Sequence, residues 1–467
     1  MKPWLDDACS LAEAVRRRDV RAADAVEASL DAIAASKLNA VVYLDAEGAR
    51  RRAEEIDRAV AAGEDAGLFG GVPLLVKDLE DVAGMPTTHG SVPYKDNIAA
   101  HDSIHVERLR AAGAVILGKT APSEFGFVGY TATKLHGVTR NPWNLERTPA
   151  GSSGGSAAAV AGGLVPAATA SDGGGSIRLP AAYCGLVGMK GTYGRIPRGP
   201  RARLGQLTNC WGTTARSVRD AARWYDVASG YHPRDAFSLP RVDGWERALG
   251  TRELKGLRVA IVPDMTCAVI HPEVRAIVTE AAEALVEAAG LRRVDADIKL
   301  PEGGSAWANA GAPGLYGDLK DYWPACEDDL TFEIKFAMRF METYRVWHAA
   351  SSERFRMQMN EAMADVFEQV DVVLAAVSPV EPFAAKGPMP TKVGEVTVNP
   401  FNGGALTIPA SIAGYPAISI PAGLSASGLP IGLQAIARRH DDALLLDLAL
   451  AMERGRPWPL TAPAAPV

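Results

Sequence analysis

Two blocks rich in glycine and serine, Gly151-Ser152-Ser153-Gly154-Gly155-Ser156 and Ser171-Asp172-Gly173-Gly174-Gly175-Ser176-Ile177-Arg178, lie near the middle of the sequence. Residues 148–194 hold 12 of the 46 glycines in this chain of 467 residues. Glycine normally makes up about 7% of a protein, so the excess is concentrated in one region. Helix-like and strand-like patterns with Pro166 and Pro180 surround the blocks, which argues against a flexible linker. We therefore interpret them as structured loops.

Short apolar runs alternate with helical stretches on both sides of these blocks. The apolar runs are 72–76, 114–117, 258–262, 372–376, 416–420 and 429–436, and the helical stretches include 103–112, 272–289 and 441–453. Strands that alternate with helices at this spacing are typical of an α/β fold. The pattern predicts a large mixed, mostly parallel central sheet covered by helices on both faces.

The chain shows no clear seam between domains, and we expect residues 1–467 to form a single domain. Residues 1–65 follow an amphipathic helical pattern. Residues 303–370 are richer in aromatic residues and less strand-like, which favours a helical insertion that walls a pocket over the sheet.

Composition and charge exclude several functional classes. The chain carries 49 basic and 55 acidic residues, so it lacks the positive charge of a dedicated nucleic-acid binder. Its five cysteines form no C-x-x-C pair, which favours a reduced, cytoplasmic protein. The long uncharged stretch 148–171 is too rich in Gly, Ser and Pro for a membrane span. No metal or cofactor motif is present, because His101 and His105 lack the glutamate of a zincin helix.

The glycine-rich blocks have two further interpretations. A phosphate-binding loop would need a Lys-Ser or Lys-Thr pair at its end, and none is present. Residues 151–155 also fit the G-x-S-x-G nucleophile elbow with Ser153 as the nucleophile. That elbow needs a strand directly before it, whereas residues 141–149 are polar and interrupted by prolines.

Lys77 follows directly after the apolar run 72–76. Burial at the end of such a strand would disfavour the charged amine and lower its pKa. A neutral lysine can act as a base. The alternative from these residues alone is a surface ion pair with Asp78 or Glu80.

Lys77, Ser152 and Ser176 stand 75 and 24 residues apart in the sequence. In order, spacing and flanking residues they resemble the Ser-Ser-Lys triad of the amidase signature family. The resemblance covers nearly the whole chain, including the segments 102–114, 118–120, 139–142, 414–421 and 428–434. Within the family, residues 319–322 and Cys326 are most similar to bacterial hydrolases typified by 6-aminohexanoate cyclic-dimer hydrolase.

The resemblance implies a role for each matching residue. Ser176 would be the nucleophile, Ser152 the bridging hydroxyl after a cis peptide bond, and Lys77 the base. The predicted oxyanion-hole donors are Gly173, Gly174, Gly175 and Ser176. Phe127 and Cys326 would line the substrate pocket, with core packing as the alternative for both. We also expect Asp172 and Arg178 to pair and brace the loop.

The sequence therefore predicts an amidohydrolase without a cofactor, which cleaves a small or medium amide with water. The amide could be linear, cyclic, aryl or hydrazide-like. The alternatives are a glutaminase-type component of an amidotransferase and a non-catalytic binding protein with the same fold. The sequence does not fix the oligomeric state, and a homodimer is one arrangement that it allows.

Overall fold

Eleven strands form one mixed sheet in residues 3–200 and 208–467, the part of the chain that this computed structural model describes. The strands in chain order are β1 (Val41–Leu44), β2 (Pro73–Lys77), β3 (Val115–Thr120), β4 (Ala132–Thr133), β5 (Gly137–Val138), β6 (Ala167–Asp172), β7 (Val187–Lys190), β8 (Cys210–Ala215), β9 (Arg258–Ile261), β10 (Arg292–Arg293), β11 (Val372–Ala376), β12 (Lys392–Val393), β13 (Val396–Thr397), β14 (Ala417–Leu424) and β15 (Pro430–Ala437). The large sheet has the order β1-β3-β2-β6-β8-β7-β14-β15-β11-β9-β10, and β4–β5 and β12–β13 form two small hairpins.

Parallel pairing is found in two blocks of this sheet. Strand β2 pairs in parallel with β3 and β6, and β9 pairs in parallel with β10 and β11. The strands between these blocks pair antiparallel, as does β1 at the edge. The predicted large mixed sheet is confirmed, with the parallel neighbours that strand–helix–strand repeats produce confined to the two blocks.

Helices cover both faces of the sheet, as predicted. The helices are α1 (Ala8–Arg16), α2 (Ala22–Ala35), α3 (Ala46–Ala61), α4 (Ile104–Ala111), α5 (Gly154–Ala161), α6 (Arg178–Cys184), α7 (Val218–Ala228), α8 (Pro272–Ala289), α9 (Gly304–Leu319), α10 (Phe332–Thr343), α11 (Val346–Gln369), α12 (Ile408–Ile412) and α13 (Asp442–Gly455). In the described residues, none of them is long and apolar enough to cross a membrane.

Alternation along the strands builds a separate core on each face. Leu74 and Val76 of β2 belong to the core that includes α4, α7, α8 and α13. Leu75, between them, belongs to the core that includes α2, α3 and α5. Successive side chains of a strand point to opposite faces, so one apolar run supplies both cores.

Two regions outside the main sheet pattern frame the site. Residues 3–65 contain α1, α2 and α3 and also strand β1, which the helical pattern did not indicate. Helices α9 and α10 form a small core of their own around Leu319, Leu330 and Met338. Phe125 and Phe127 pack against that core, so it lies beside the loop that follows β3.

Candidate active site

The glycine-rich blocks lie at one edge of the sheet because of strand direction. Strands β2 and β6 are parallel neighbours, so their carboxyl ends lie at the same edge. Lys77 ends β2 and Asp172 ends β6, and the Lys77 N–H donates to Thr169 Oγ1 at 2.8 Å. Ser152 lies just before α5 and Ser176 just before α6. The predicted residues are therefore brought to the end of two adjacent strands.

The side chain of Lys77 is fully buried among three hydroxyl groups. Its Nζ lies 2.8 Å from Ser152 Oγ, 2.8 Å from Ser153 Oγ and 3.0 Å from Ser171 Oγ. Within the described residues, no carboxylate forms an ion pair with this amine. The surface pairing with Asp78 that the sequence left open is thus not what the structure shows.

Burial controls the protonation of Lys77. It lowers the pKa of this lysine to about 7, although the charges of Glu80 and Asp172 act in the opposite direction. An amine with a pKa near 7 is partly neutral at neutral pH and is suited to accept a proton. The serine hydroxyls around it can exchange protons with it without adding a fixed charge.

The two adjacent serines differ in what else they contact. Both reach Lys77, but Ser152 also lines a large cavity, and Ser176 lines the same cavity. Ser153 is buried behind it, with its Oγ 3.3 Å from the carbonyl oxygen of Ser171. The Gly151–Ser152 peptide bond is cis, as the resemblance implied. No hydrogen bond joins Ser152 to Ser176 among the described contacts, and such bonds often tighten only when substrate binds.

The expected pair of Asp172 and Arg178 is present and fully buried. Arg178 Nε donates to Asp172 Oδ2 and its Nη2 to Oδ1, both at 2.9 Å. Arg178 also donates to Gln434 Oε1 at 2.7 Å and to Ser411 Oγ at 2.8 Å. Burial alone would raise the pKa of Asp172, but Arg178 and the N–H of Gly175 lower it to about 2. Asp172 therefore stays charged and anchors the loop.

The carbonyl groups of the glycine loop are each held by a donor. Gly173 O accepts from Trp307 Nε1 at 2.6 Å, and Gly174 O accepts from Thr407 Oγ1 at 2.6 Å. Gly175 O accepts from the N–H of Leu179 at 2.7 Å. Fixing the carbonyl oxygens in this way fixes the orientation of the peptide units between them.

One of the predicted oxyanion-hole donors is already occupied. The N–H of Gly175 donates to Asp172 Oδ1 at 2.7 Å, so we leave Gly175 out of the proposed donor set. Its φ of +131° is a conformation that side chains rarely adopt, and this is its requirement for glycine. The N–H groups of Gly173, Gly174 and Ser176 remain as candidate donors.

Trp307 of α9 closes over this loop. A Cβ atom on Gly174 would lie 2.8 Å from the Trp307 ring, so the close approach of the indole requires glycine there. The indole also lies 6.3 Å from the ring of Phe127, measured between centroids. Trp307 thus joins the loop to the wall of the cavity.

The cavity has a volume of about 720 Å³. Helices α9 and α11 supply part of its wall, so the segment 303–370 does contribute to the pocket. Its aromatic lining consists of Tyr94, Phe125, Phe127, Trp211, Trp307 and Phe355. A cavity of this size and lining fits a small organic ligand.

The two predicted pocket residues have different positions. Phe127 lines the cavity. Cys326 does not; it is buried in the small core around Leu319 and Met338, behind the cavity wall. Its predicted contact with substrate is therefore replaced by the alternative, core packing.

A second cleft, of about 920 Å³, lies elsewhere and holds none of the predicted site residues. It contains Arg16, Arg18, Arg108 and Arg241, whose guanidinium groups donate to backbone carbonyl oxygens. Residues 3–200 and 208–467 contain no group of His, Cys, Asp and Glu arranged to hold a metal ion. The candidate active site is therefore the serine-lined cavity.

Comparison with known proteins agrees with this assignment. The model of the Amidase family matches residues 24–446, which is most of the chain. This chain is a member of the amidase family. It is accordingly a hydrolase of carbon–nitrogen bonds, and the family predicted from the Lys77, Ser152 and Ser176 motifs is confirmed.

Several relatives of this amidase match over almost their whole length. An acylamidase from Rhodococcus erythropolis is 36% identical over 480 residues, covering 99% of this chain and 97% of the relative. The A-type component of the glutamyl-tRNA(Gln) amidotransferase from Thermosynechococcus vestitus is 34% identical over 474 residues, covering 95% and 96%.

Solved structures show the same fold. A bacterial aryl acylamidase superposes with a TM-score of 0.92 at 28% identity, with 98% of each chain covered. The complex of 6-aminohexanoate cyclic dimer hydrolase with substrate superposes with a TM-score of 0.86 at 28% identity, covering 99% of this amidase and 100% of that chain.

Sequence reasoning missed several residues of the site. Ser153 and Ser171 contact Lys77, and Trp307 and Thr407 hold the loop carbonyl groups. A signal existed for Ser171, a polar residue in the buried run that forms β6. None existed for Trp307 and Thr407, which are more than 130 residues from the loop in the sequence.

Proposed function

We propose that this amidase hydrolyses amides through an acyl-enzyme on Ser176. The observation that supports the proposal best is the buried amine of Lys77, which has a lowered pKa and contacts Ser152 at 2.8 Å. Ser152 lines the same cavity as Ser176. A serine hydroxyl becomes an effective nucleophile when a positioned base accepts its proton.

In the first half of the reaction, Ser176 Oγ bonds to the amide carbonyl carbon. Its proton passes to Ser152, whose own proton passes to neutral Lys77. The tetrahedral intermediate then collapses, the carbon–nitrogen bond breaks, and the proton returns by the same path to the leaving nitrogen. The amine departs neutral and Lys77 is neutral again.

In the second half, water attacks the ester of Ser176. Lys77 again takes a proton through Ser152, and the carbon–oxygen bond to Ser176 breaks as the serine regains its proton. The N–H groups of Gly173, Gly174 and Ser176 stabilise the negative oxygen in both halves. Removing one such donor typically lowers the rate about 10²–10³-fold.

The lining of the cavity favours a substrate with an apolar or aromatic group. Phe127, Trp307 and Phe355 offer ring faces and edges to such a group. Relatives named acylamidase and aryl acylamidase support the same class. We therefore propose acyl amides, including anilides, as the substrates.

Purified wild-type protein and two serine variants test this proposal on acetanilide and longer anilides. We expect Ser176→Ala to lose at least about 10³-fold in kcat/KM, and a short incubation of wild type to leave an acyl group on the peptide that contains Ser176. Ser156→Ala is the matched control, because Ser156 lies in the first glycine-rich block but bonds only to Thr120 Oγ1, at 2.7 Å. Full activity of Ser176→Ala would refute the proposal, and a fluorophosphonate adduct on Ser176 would exclude a non-catalytic binding protein.

A second candidate function is supply of ammonia from glutamine. It is favoured by the relatives at 34% identity that belong to glutamyl-tRNA(Gln) amidotransferases. The same assays with glutamine as substrate distinguish the two functions. Faster hydrolysis of glutamine than of any anilide would favour the amidotransferase role.

A further inference from the structure

The cavity contains cationic side chains that the proposed chemistry does not use. Arg198, in the loop after β7, and Arg356, on α11, both line it. Burial raises the pKa of Tyr193, and the charges of Arg198 and Arg356 both oppose that rise. Arg198 Cζ lies 4.8 Å from the centre of the Tyr193 ring. The two guanidinium groups therefore lie on the same side of the cavity.

Asp235 balances the charge of Arg198. It lies 3.5 Å from Arg198 Nη2, and it also accepts from the backbone N–H of Arg198 at 2.8 Å. Both side chains are buried. Arg198 is thus part of a buried ion pair in the cavity wall.

Arg356 has no comparable partner among the described residues. Its side chain is 18% exposed, and its Nε and Nη1 are buried without a hydrogen-bond partner. The carboxylate nearest to it is that of Glu353, 3.4 Å from Nε and 62% exposed. An exposed pair of this kind contributes little, so the charge of Arg356 is poorly compensated and its Nη2 remains available to the cavity.

The acidic groups of the cavity lie near a different residue. Burial lowers the pKa of His89, and the charges of Asp78, Asp318 and Asp81 oppose that change. Asp81, His89 and Asp318 all line the cavity. Positive charge is therefore associated with Tyr193 and negative charge with His89, and a ligand in the cavity meets both.

We propose that Arg356 binds a carboxylate carried by the amide substrate. This inference rests on the proposed hydrolysis at Ser176 and narrows its substrate class to amides with an anionic substituent. A guanidinium group forms strong, charge-assisted hydrogen bonds with a carboxylate. The apolar rings of the cavity would hold the body of the substrate while Arg356 holds its charged end.

Binding to the inactive Ser176→Ala protein tests the inference separately from turnover. Two pairs of ligands differ only in charge. The first pair is glutaric acid monoanilide and its uncharged isostere 5-methylhexananilide, and the second is 4-acetamidobenzoate and 4-isopropylacetanilide. Titration calorimetry gives a Kd for each ligand with arginine or methionine at position 356.

We expect at least one acid to bind about tenfold or more tightly than its isostere, and Arg356→Met to abolish that preference. Arg354→Met is the matched control, because Arg354 is an exposed arginine on the same helix; it should leave the preference intact. Equal binding of acid and isostere in both pairs would overturn the inference, as would a preference that survives Arg356→Met. Failure of the proposed function would be recognised differently, by wild-type protein that hydrolyses none of the four compounds.

Discussion

Ser152 and Ser153 lie equally close to Lys77, yet only Ser152 reaches the cavity. If Ser152 carries the proton, Ser152→Ala should lower kcat about 10²–10⁴-fold, the usual contribution of a proton-transfer group. Ser153→Ala should lower it less than about tenfold, because it removes one hydrogen bond to the amine and leaves the relay in place. Steady-state kinetics on an anilide measure both variants. Equal losses would mean that the Lys77 environment, and not the relay, sets the rate.

The lowered pKa of Lys77 makes a prediction for the pH profile. The base must be neutral, so kcat/KM should fall about tenfold per pH unit below pH 7 and level off above it. Acetanilide is a suitable substrate because it does not titrate in this range. A rate that keeps rising towards pH 10 would show that Lys77 retains the pKa of an ordinary lysine.

Single residues were predictable where the sequence places them next to a strong local signal. Lys77 follows an apolar run that ends a buried strand, and the serines lie in dense glycine loops. The hydroxyl group of Ser171 was not assigned to Lys77, because the contact depends on the pairing of β2 with β6. Cys326 was assigned to the pocket wrongly, because a helical segment does not reveal which of its residues face a cavity.

Among the secondary-structure elements, α9 has the most direct influence on the site through Trp307. We expect Trp307→Phe to lower kcat about tenfold with a smaller change in KM, because it keeps a ring in the cavity wall but removes the donor to Gly173 O. Trp347→Phe is the matched control, since Trp347 is 62% exposed on α11. A rise in KM alone would assign Trp307 to substrate contact only.

Elements with a clear period and clear ends were predicted well. Helix α8 has its predicted bounds, with His271 as N-cap, proline at its first position and Gly290 in the left-handed conformation after its end. Strands β7 and β8 were not predicted, because β7 is only four residues long and β8 reads Cys-Trp-Gly-Thr-Thr-Ala, without a continuous apolar run. The antiparallel middle of the sheet depends on these two strands.

For the whole molecule, Arg216 is a central contact between distant segments. Its buried guanidinium group donates to the carbonyl oxygens of Trp4, Asp6, Val160 and Val165, at 2.6–3.2 Å. Burial lowers the pKa of Arg216 to about 10, so it is still charged at neutral pH. This contact fastens the N-terminal segment to the end of α5.

Loss of Arg216 should therefore destabilise the fold. We expect Arg216→Met to lower the free energy of unfolding by about 2–5 kcal/mol, because several buried carbonyl groups lose their donor. Arg17→Met should change it by less than about 1 kcal/mol, since the Arg17–Asp19 pair is exposed. Urea denaturation measures both. Equal stability of the two variants would contradict a structural role for Arg216.

The overall architecture was predictable in class but not in arrangement. Alternating strands and helices indicated a sheet with two helical layers. The strand order was not accessible, because β6 pairs with β8 and β7 with β14 through contacts between residues far apart in the sequence. The same reason hid the contact of Arg216 with Trp4.

The position of Trp307 has an optical consequence. Its indole N–H is bonded to the loop beside Ser176, and its ring faces the cavity. Filling the cavity would remove water from the ring and shift its fluorescence to shorter wavelength. The difference in emission between wild type and Trp307→Phe would isolate this signal from the other eight tryptophans. The chain thus carries its own spectroscopic probe of ligand binding, which could follow single turnovers without a coloured substrate.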